Sequence, residues 1–141
     1  MCPTVIAFTG TRTYCNAEDR GEIIFTIHRI LAYHRLLYPA GVRVGDCRTG
    51  VDAFVRYLFA DNSPMYSNTE LTIVTVDPAI KWPAAGPERN SRIIDKAPNK
   101  PDLLLSFPRR GAANKGTIDC TTKAIRASVE VIVTYLEERS E

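Results

Sequence analysis

The feature that most constrains this chain is alternation: short β-branched and apolar runs follow segments of helical spacing from one end to the other. Residues 4–9 form the first such run, closed by Gly10, and an unbroken apolar run suits a strand covered on both faces. Asn16 then stands where it can cap a helix, and Glu18 and Asp19 suit its first turn. Ile23, Ile24, Ile27, Ile30, Leu31 and Leu37 follow helical spacing until Pro39 and Gly41 stop it. Residues 42–44 give a second strand, and Val51, Phe54, Val55, Leu58 and Phe59 give a second helix entered through Thr49-Gly50-Val51-Asp52. A third strand is expected over 71–76, then a Pro- and Ala-rich loop over 77–85 and a short helix opened by Pro87 that carries Ile93 and Ile94. A fourth strand over 103–107 ends at Pro108, a helix covers about 117–127, and a last strand runs over 129–135.

Strands that alternate with helices imply a mostly parallel sheet with helices on both faces, because each parallel crossover must return over the sheet. The expectation is an α/β, Rossmann-like three-layer single domain over 1–141, with about five strands. No stretch has the length and apolarity to span a bilayer, so no membrane partner is expected. The chain passes from Met1 into a strand-like run with no basic segment or h-region, which reads as no export signal and a cytoplasmic location. Cys2, Cys15, Cys47 and Cys120 are widely spaced with no C-x-x-C pair, as in a reduced intracellular protein, and all four read as thiols. The net charge of +2 is too small to make a general nucleic-acid field, and no basic block exceeds Arg109-Arg110. Nucleic acid is therefore not the expected partner.

In open parallel sheets, ligands bind beyond the carboxyl ends of the strands, where helix N-termini offer unpaired N–H groups. The loops expected there are Gly10-Thr11-Arg12, the run from Gly45 to Asp52, the run from Ala85 to Arg92, and Arg109-Arg110-Gly111 through Gly116-Thr117. Each combines glycine, which lets backbone amides approach an anion, with arginine, which offers paired donors to phosphate oxygens. Taken singly, each glycine could merely make a turn and each arginine could be solvated. Their coincidence at one edge points to an anion pocket. Neither the G-x-G-x-x-G fingerprint nor the G-x-x-x-x-G-K-[ST] phosphate loop is present, so a plain dehydrogenase and a nucleoside triphosphatase are unsupported.

Several of these segments, in order and spacing, resemble the SLOG superfamily of Rossmann-like domains and, within it, the YspA-like branch. They are Ile6-Ala7-Phe8-Thr9-Gly10-Thr11-Arg12, Gly45-Asp46-Cys47-Arg48-Thr49-Gly50-Val51-Asp52, Trp82-Pro83 with Ala85-Gly86-Pro87-Glu88-Arg89-Asn90, and Pro101 to Pro108 leading to Gly116-Thr117. The resemblance implies that Gly10, Thr11 and Arg12 form an opening motif and that Gly45, Asp46, Arg48, Thr49, Gly50 and Asp52 form a ligand loop. It further implies that Arg89 and Asn90 are its polar partners and Gly116-Thr117 a phosphate-facing turn. Superfamily members include phosphoribohydrolases of the LOG type, the DNA-processing protein DprA and sensors of nucleotide-derived signals, so membership leaves the function open. In LOG enzymes the turn reads G-T-x-E-E, with acids that serve N-glycoside cleavage; here it reads Gly116-Thr117-Ile118-Asp119-Cys120, one acid shortened and one replaced by a thiol.

The reading is a protein that binds a phosphorylated, nucleotide-derived small molecule, as sensor or sequestering agent in a microbial or phage defence conflict. The first alternative is a phosphoribohydrolase acting on nucleoside monophosphates, with Asp119 and then Glu88 as candidate acids. The second is DprA-like binding of single-stranded DNA. Asp52 reads equally as a ribose contact and as a first-turn helix acid, and Glu88 has the same bland explanation. Trp82 is a candidate base platform, and Arg89, taken as lying in the first turn of the helix begun by Pro87, is expected to be the principal anion contact. His28 and His34 are six apart, so they do not make an i, i+4 metal pair; no metal and no cofactor are expected. Homo-oligomers are common in the superfamily and fit the resemblance.

Overall fold

The structure, a computed structural model, describes residues 5–61, 63, 65, 66, 68–94 and 100–139 of the 141. Its elements follow the expected order: β1 (Val5–Gly10), α1 (Ala17–Tyr33), β2 (Gly41–Gly45), α2 (Gly50–Leu58), β3 (Glu70–Val74), α3 (Ala85–Ile94), β4 (Leu103–Phe107), α4 (Lys115–Arg126) and β5 (Glu130–Val133). The five strands form one parallel sheet in the order β3-β2-β1-β4-β5. Thr4, expected to open the first strand, and Cys2 lie outside the described residues.

Side chains alternate across a strand with a period of two, and β1 and β4 use that period to feed two cores. Ile6 and Phe8 of β1, with Leu103, Leu105 and Phe107 of β4, pack against Ile23, Ile27 and Leu31 of α1 and Val51, Val55 and Leu58 of α2. Ala7 and Leu104 point the other way, onto Ile93 and Ile94 of α3 and Cys120 and Ala124 of α4. The result is a three-layer α/β domain of the Rossmann-like type, with α1 and α2 on one face and α3 and α4 on the other. Fully burying each of these large aliphatic or aromatic side chains contributes about 1.5–3 kcal/mol, which is why β1 and β4 are mostly apolar, with Thr9 and Ser106 the polar exceptions.

Several boundaries differ from the periodic reading: β3 ends at Val74, short of 76, and α4 opens at Lys115, ahead of 117. Leu37 does not extend α1: Arg35 takes a left-handed φ of 57°, Leu36 N–H donates back to the Leu31 carbonyl at 2.8 Å, and Leu37 is 90% exposed. Helix α3 begins at Ala85, two residues before Pro87, because Pro87 still falls in the first turn, where its missing N–H leaves no gap. Strand β5 stops at Val133, although Thr134 and Leu136 go on donating to the carbonyls of Ser106 and Pro108, both at 2.8 Å.

Strand order fixes where a site can form. From β1 the chain steps outward through β2 to β3, then crosses back to place β4 on the other side of β1. The seam between β1 and β4 is the point where the winding reverses, and the helices entered on either side of it diverge and leave a crevice.

Candidate ligand site at the seam

A cavity of about 550 Å³ lies over the carboxyl end of β1, bounded by α3 and the first turn of α4. It is lined by Gly10, Thr11 and Arg12 after β1, Trp82 before α3, Arg89 and Asn90 on α3, and Gly116, Thr117 and Asp119 on α4. Asp52, near the start of α2, reaches it from behind, and so does Cys47. All of these except Cys47 are site candidates by sequence. Gly45, Asp46, Arg48, Thr49, Gly50 and Glu88 are not in the lining.

Much of the loop from Gly45 to Asp52 is a structural clasp, and of its residues only Cys47 and Asp52 line the cavity. Gly50 has φ 79°, and a Cβ there would stand 2.1 Å from the Thr11 carbonyl oxygen. Val51 N–H donates to that carbonyl at 3.0 Å, and Thr49 Oγ1 donates to the Arg12 carbonyl at 2.5 Å. The N-terminus of α2 is therefore occupied by the β1 loop. Gly45 is bare because Asp52 and Arg89 close over it: a Cβ would lie 2.7 Å from Asp52 Oδ2 and 2.8 Å from Arg89 Nη1. Arg48 is exposed, and Glu88 is held by Arg92, whose Nη2 donates to Oε1 at 2.8 Å.

Arg89 also differs from expectation. It is the fifth residue of α3, beyond the first turn, and only 7% exposed. Its Nη1 donates to Asp46 Oδ1 at 2.6 Å and its Nε to Asn90 Oδ1 at 3.1 Å. The anion that balances this cation comes from the protein itself. Burial pushes the Asp46 carboxyl up, but the Val76 N–H and the Arg89 charge more than reverse this and hold it below the usual carboxylate value. Asp52 is 8% exposed, and its burial outweighs the Arg89 charge and the Cys47 N–H, so its carboxyl is raised.

The N-terminus of α4 is arranged differently from those of α1 and α2. Helix α1 is sealed by a capping box between Asn16 and Asp19. The N-cap of α4, Asn114, sits in the left-handed region at φ 54° and makes no side-chain cap. Its amide instead turns back, accepting from Arg109 N–H at 3.0 Å and donating to the Arg109 carbonyl at 2.8 Å. The N–H groups of Lys115, Gly116 and Thr117 have no hydrogen bond among the described residues. Arg12 stands over this turn: its Nη2 is the one atom within range of a Cβ on Gly116, at 4.0 Å. Its guanidinium carbon also lies 5.7 Å from the centre of the Trp82 ring, which is 59% exposed. Uncapped amides, a partial positive helix end and a guanidinium meet in one corner, the arrangement that receives a phosphate or other anion.

One turn further along α4, Asp119 Oδ2 accepts from Lys123 Nζ at 2.7 Å and Asn90 Nδ2 at 3.0 Å, which orients the carboxylate at the cavity wall. Burial pushes the Cys120 thiol behind it up to about 12, so it is a packed thiol with no acid–base role at neutral pH. Among the described residues no three His, Cys, Asp or Glu side chains gather as a metal site, and no helix is long and apolar enough to cross a membrane.

The sequence reading misses the role of Asn114, whose outward turn leaves α4 uncapped, and of Lys115, which lines the cavity, and it takes Arg109 as a donor in a loop facing the ligand. Arg109 is 3% exposed and pairs with Asp19 at 2.8 Å, across ninety residues of chain. No local pattern signals such a pair. Comparison of the chain with family models, curated proteins and solved structures gave no match in any of the three.

Proposed function

We propose that the chain binds a phosphorylated, nucleotide-derived small molecule in the cavity at the β1–β4 seam, as a sensor or sequestering protein. The observation that carries this reading is the uncapped first turn of α4, opening onto the cavity beneath Arg12. The phosphate sits against the N–H groups of residues 115–117, with Arg12 and Lys115 as its cations. The exposed face of Trp82 offers a stacking surface for a base, and about 550 Å³ is ample for a nucleotide-sized ligand. The SLOG resemblance supports the same assignment of Gly10, Arg12 and Gly116-Thr117, and a role in phage or microbial defence is proposed on that resemblance alone.

Trp82 is the single tryptophan, so its emission reports on this cavity without a label. Titration with nucleoside mono- and diphosphates, alongside mass spectrometry of small molecules retained through purification, tests the reading. Saturable quenching by a phosphorylated nucleoside, absent with the free nucleoside, is the expected result. No emission change and no heat with any member of the panel would overturn it.

A second reading, hydrolysis of the ligand's N-glycosidic bond, is favoured by one observation: the Asp119 carboxylate is fixed at the cavity wall by Asn90 and Lys123. Asp119→Asn would keep the fold and ligand affinity while abolishing base release. No base release by the unaltered protein leaves binding as the function.

A further inference from the structure

Outside the cavity, a second buried charge network centres on Arg109. Its Nη2 and Nη1 donate to Asp19 at 2.8 and 3.3 Å, Nη1 also donates to the Glu137 carbonyl at 2.8 Å, and Nε donates to Thr13 Oγ1 at 2.7 Å. Its backbone N–H and carbonyl hold both ends of the Asn114 amide. One residue thus joins the segment after β5, the capping box of α1, the β1 loop and the N-cap of α4. Thr13 Oγ1 is 2.8 Å from Thr11 Oγ1, and Thr11 lines the cavity.

The segment 134–139 is docked on this hub. Leu136 is 1% exposed, Arg110 N–H donates to its carbonyl at 2.9 Å, and Arg139 forms an ion pair with Asp19. Gly111 lies under Glu138, where a Cβ would meet Glu138 Cδ at 2.7 Å. The hold is incomplete, because Arg139 Nε is buried with no acceptor among the described residues. Neither Arg109 nor Arg139 lines the cavity.

We propose that docking of segment 134–139 and occupancy of the anion seat on α4 are coupled through Arg109, each favouring the other. This rests on the reading of that corner as an anion site. An anion held by the N–H groups of residues 115–117 fixes the turn that Asn114 begins, and Asn114 is fixed in turn by the backbone of Arg109. The Arg109 side chain meets the docked segment on one side and Thr13 on the other. Coupling of this kind is reciprocal, so ligand occupancy protects the segment and loss of the segment weakens the ligand. In a sensor, the docked segment is then the part of the molecule that reports the ligand.

The test uses the whole chain with Arg139→Ala and Arg139→Lys, both of which leave the Arg109–Asp19 pair in place, with adenosine 5′-monophosphate as the probe. Amide hydrogen exchange is read in the absence of nucleotide at Thr134 and Leu136 in the segment, and at Arg109 and Ile118 beside the seat. Arg139→Ala is expected to speed exchange at all four and to weaken nucleotide binding about fivefold or more, with Arg139→Lys in between. Faster exchange confined to Thr134 and Leu136, with unchanged affinity, would overturn the coupling. If the unaltered protein binds neither adenosine 5′-monophosphate nor any other nucleotide of the panel, the ligand half of the proposal fails together with the nucleotide reading. The exchange at Arg109 and Ile118 then decides the structural half by itself.

Discussion

Arg89 Nη1 lies 2.6 Å from Asp46 Oδ1, and that contact joins α3 to the end of β2 through a side chain that is almost wholly enclosed. Removing Arg89 leaves Asp46, whose side chain is 27% exposed, without its ion-pair partner, at a cost of about 1–3 kcal/mol. Arg89→Ala is therefore expected to lower the melting temperature by about 5 °C, through loss of the Asp46 pairing and of the cation beside Asp52. Thermal melts check this directly. An unchanged melting temperature with abolished ligand binding would return Arg89 to the role of anion contact.

Gly116 and Gly50 make opposite predictions although both sit at helix starts. A Cβ on Gly116 meets only the far end of Arg12, at 4.0 Å, so Gly116→Ala fits and gains up to about 1 kcal/mol of helix propensity. It also crowds the anion seat, and ligand affinity should fall by about tenfold, the equivalent of one hydrogen bond of roughly 1.4 kcal/mol. Gly50→Ala should unfold or strongly destabilise the protein, since φ 79° and the Thr11 oxygen both oppose a side chain. Melting curves beside titrations separate the two.

Arg12→Ala should leave the fold intact, because the side chain is exposed, and should weaken a phosphorylated ligand by about ten- to hundredfold. It should also shift the emission of Trp82 before any ligand is added, by removing the stacked guanidinium. Unaltered emission together with unaltered affinity would show Arg12 to be solvated surface.

Acid should destabilise the protein through two carboxylates. Burial pushes the Asp19 carboxyl up, but Arg109, the Asn16 N–H and Arg139 outweigh it and hold the group below the usual value. Asp46 is lowered in the same way by Val76 N–H and Arg89. For both, the stabilisation is complete above the ordinary carboxylate value of about 3.9 and is lost as pH falls through the lowered one. Asp52 runs the other way: its raised carboxyl favours the protonated folded state, so its contribution declines as pH climbs through the raised value. Melting temperatures taken from strongly acidic to neutral pH should fall steeply on acidification, and less steeply in Asp19→Asn.

The sequence pattern made the layers legible because β1 and β4 are mostly apolar and their helices carry an apolar face. The same pattern could not separate the glycines. Gly45, Gly50 and Gly116 read alike as phosphate-approach residues, yet two are bare to admit neighbouring protein atoms and one faces open space. Arg89 and Arg109 read as free cations because their partners, Asp46 and Asp19, stand 43 and 90 positions away. Local rules see a charge and its own helix, and do not see what a crossover brings beside it.

Thiol reactivity offers a further check. Burial raises Cys15 to about 11, with Asp19 adding to the effect, and raises Cys120 to about 12. In a Cys2→Ser background, only Cys47, which lines the cavity, should react with a disulfide reagent in the native protein at neutral pH. A bound ligand should slow that reaction. Fast labelling of Cys15 or Cys120 in folded protein would contradict the enclosed packing described for them.

The pairing of β1 with β4 has a kinetic consequence. Ile6 and Leu103 lie side by side in the sheet, so the two strands that build the seam meet only after nearly the whole intervening chain has been synthesised. Closing so large a loop is entropically slow compared with forming α1 or α2. Binding competence should therefore appear late during refolding, in step with the slowest change in Trp82 emission and after helical signal has returned. Emission of this one residue would then time the completion of the native topology, and a nascent chain halted before β4 would lack the Phe107 carbonyl that anchors Thr11 N–H and, with it, the capacity to hold a ligand.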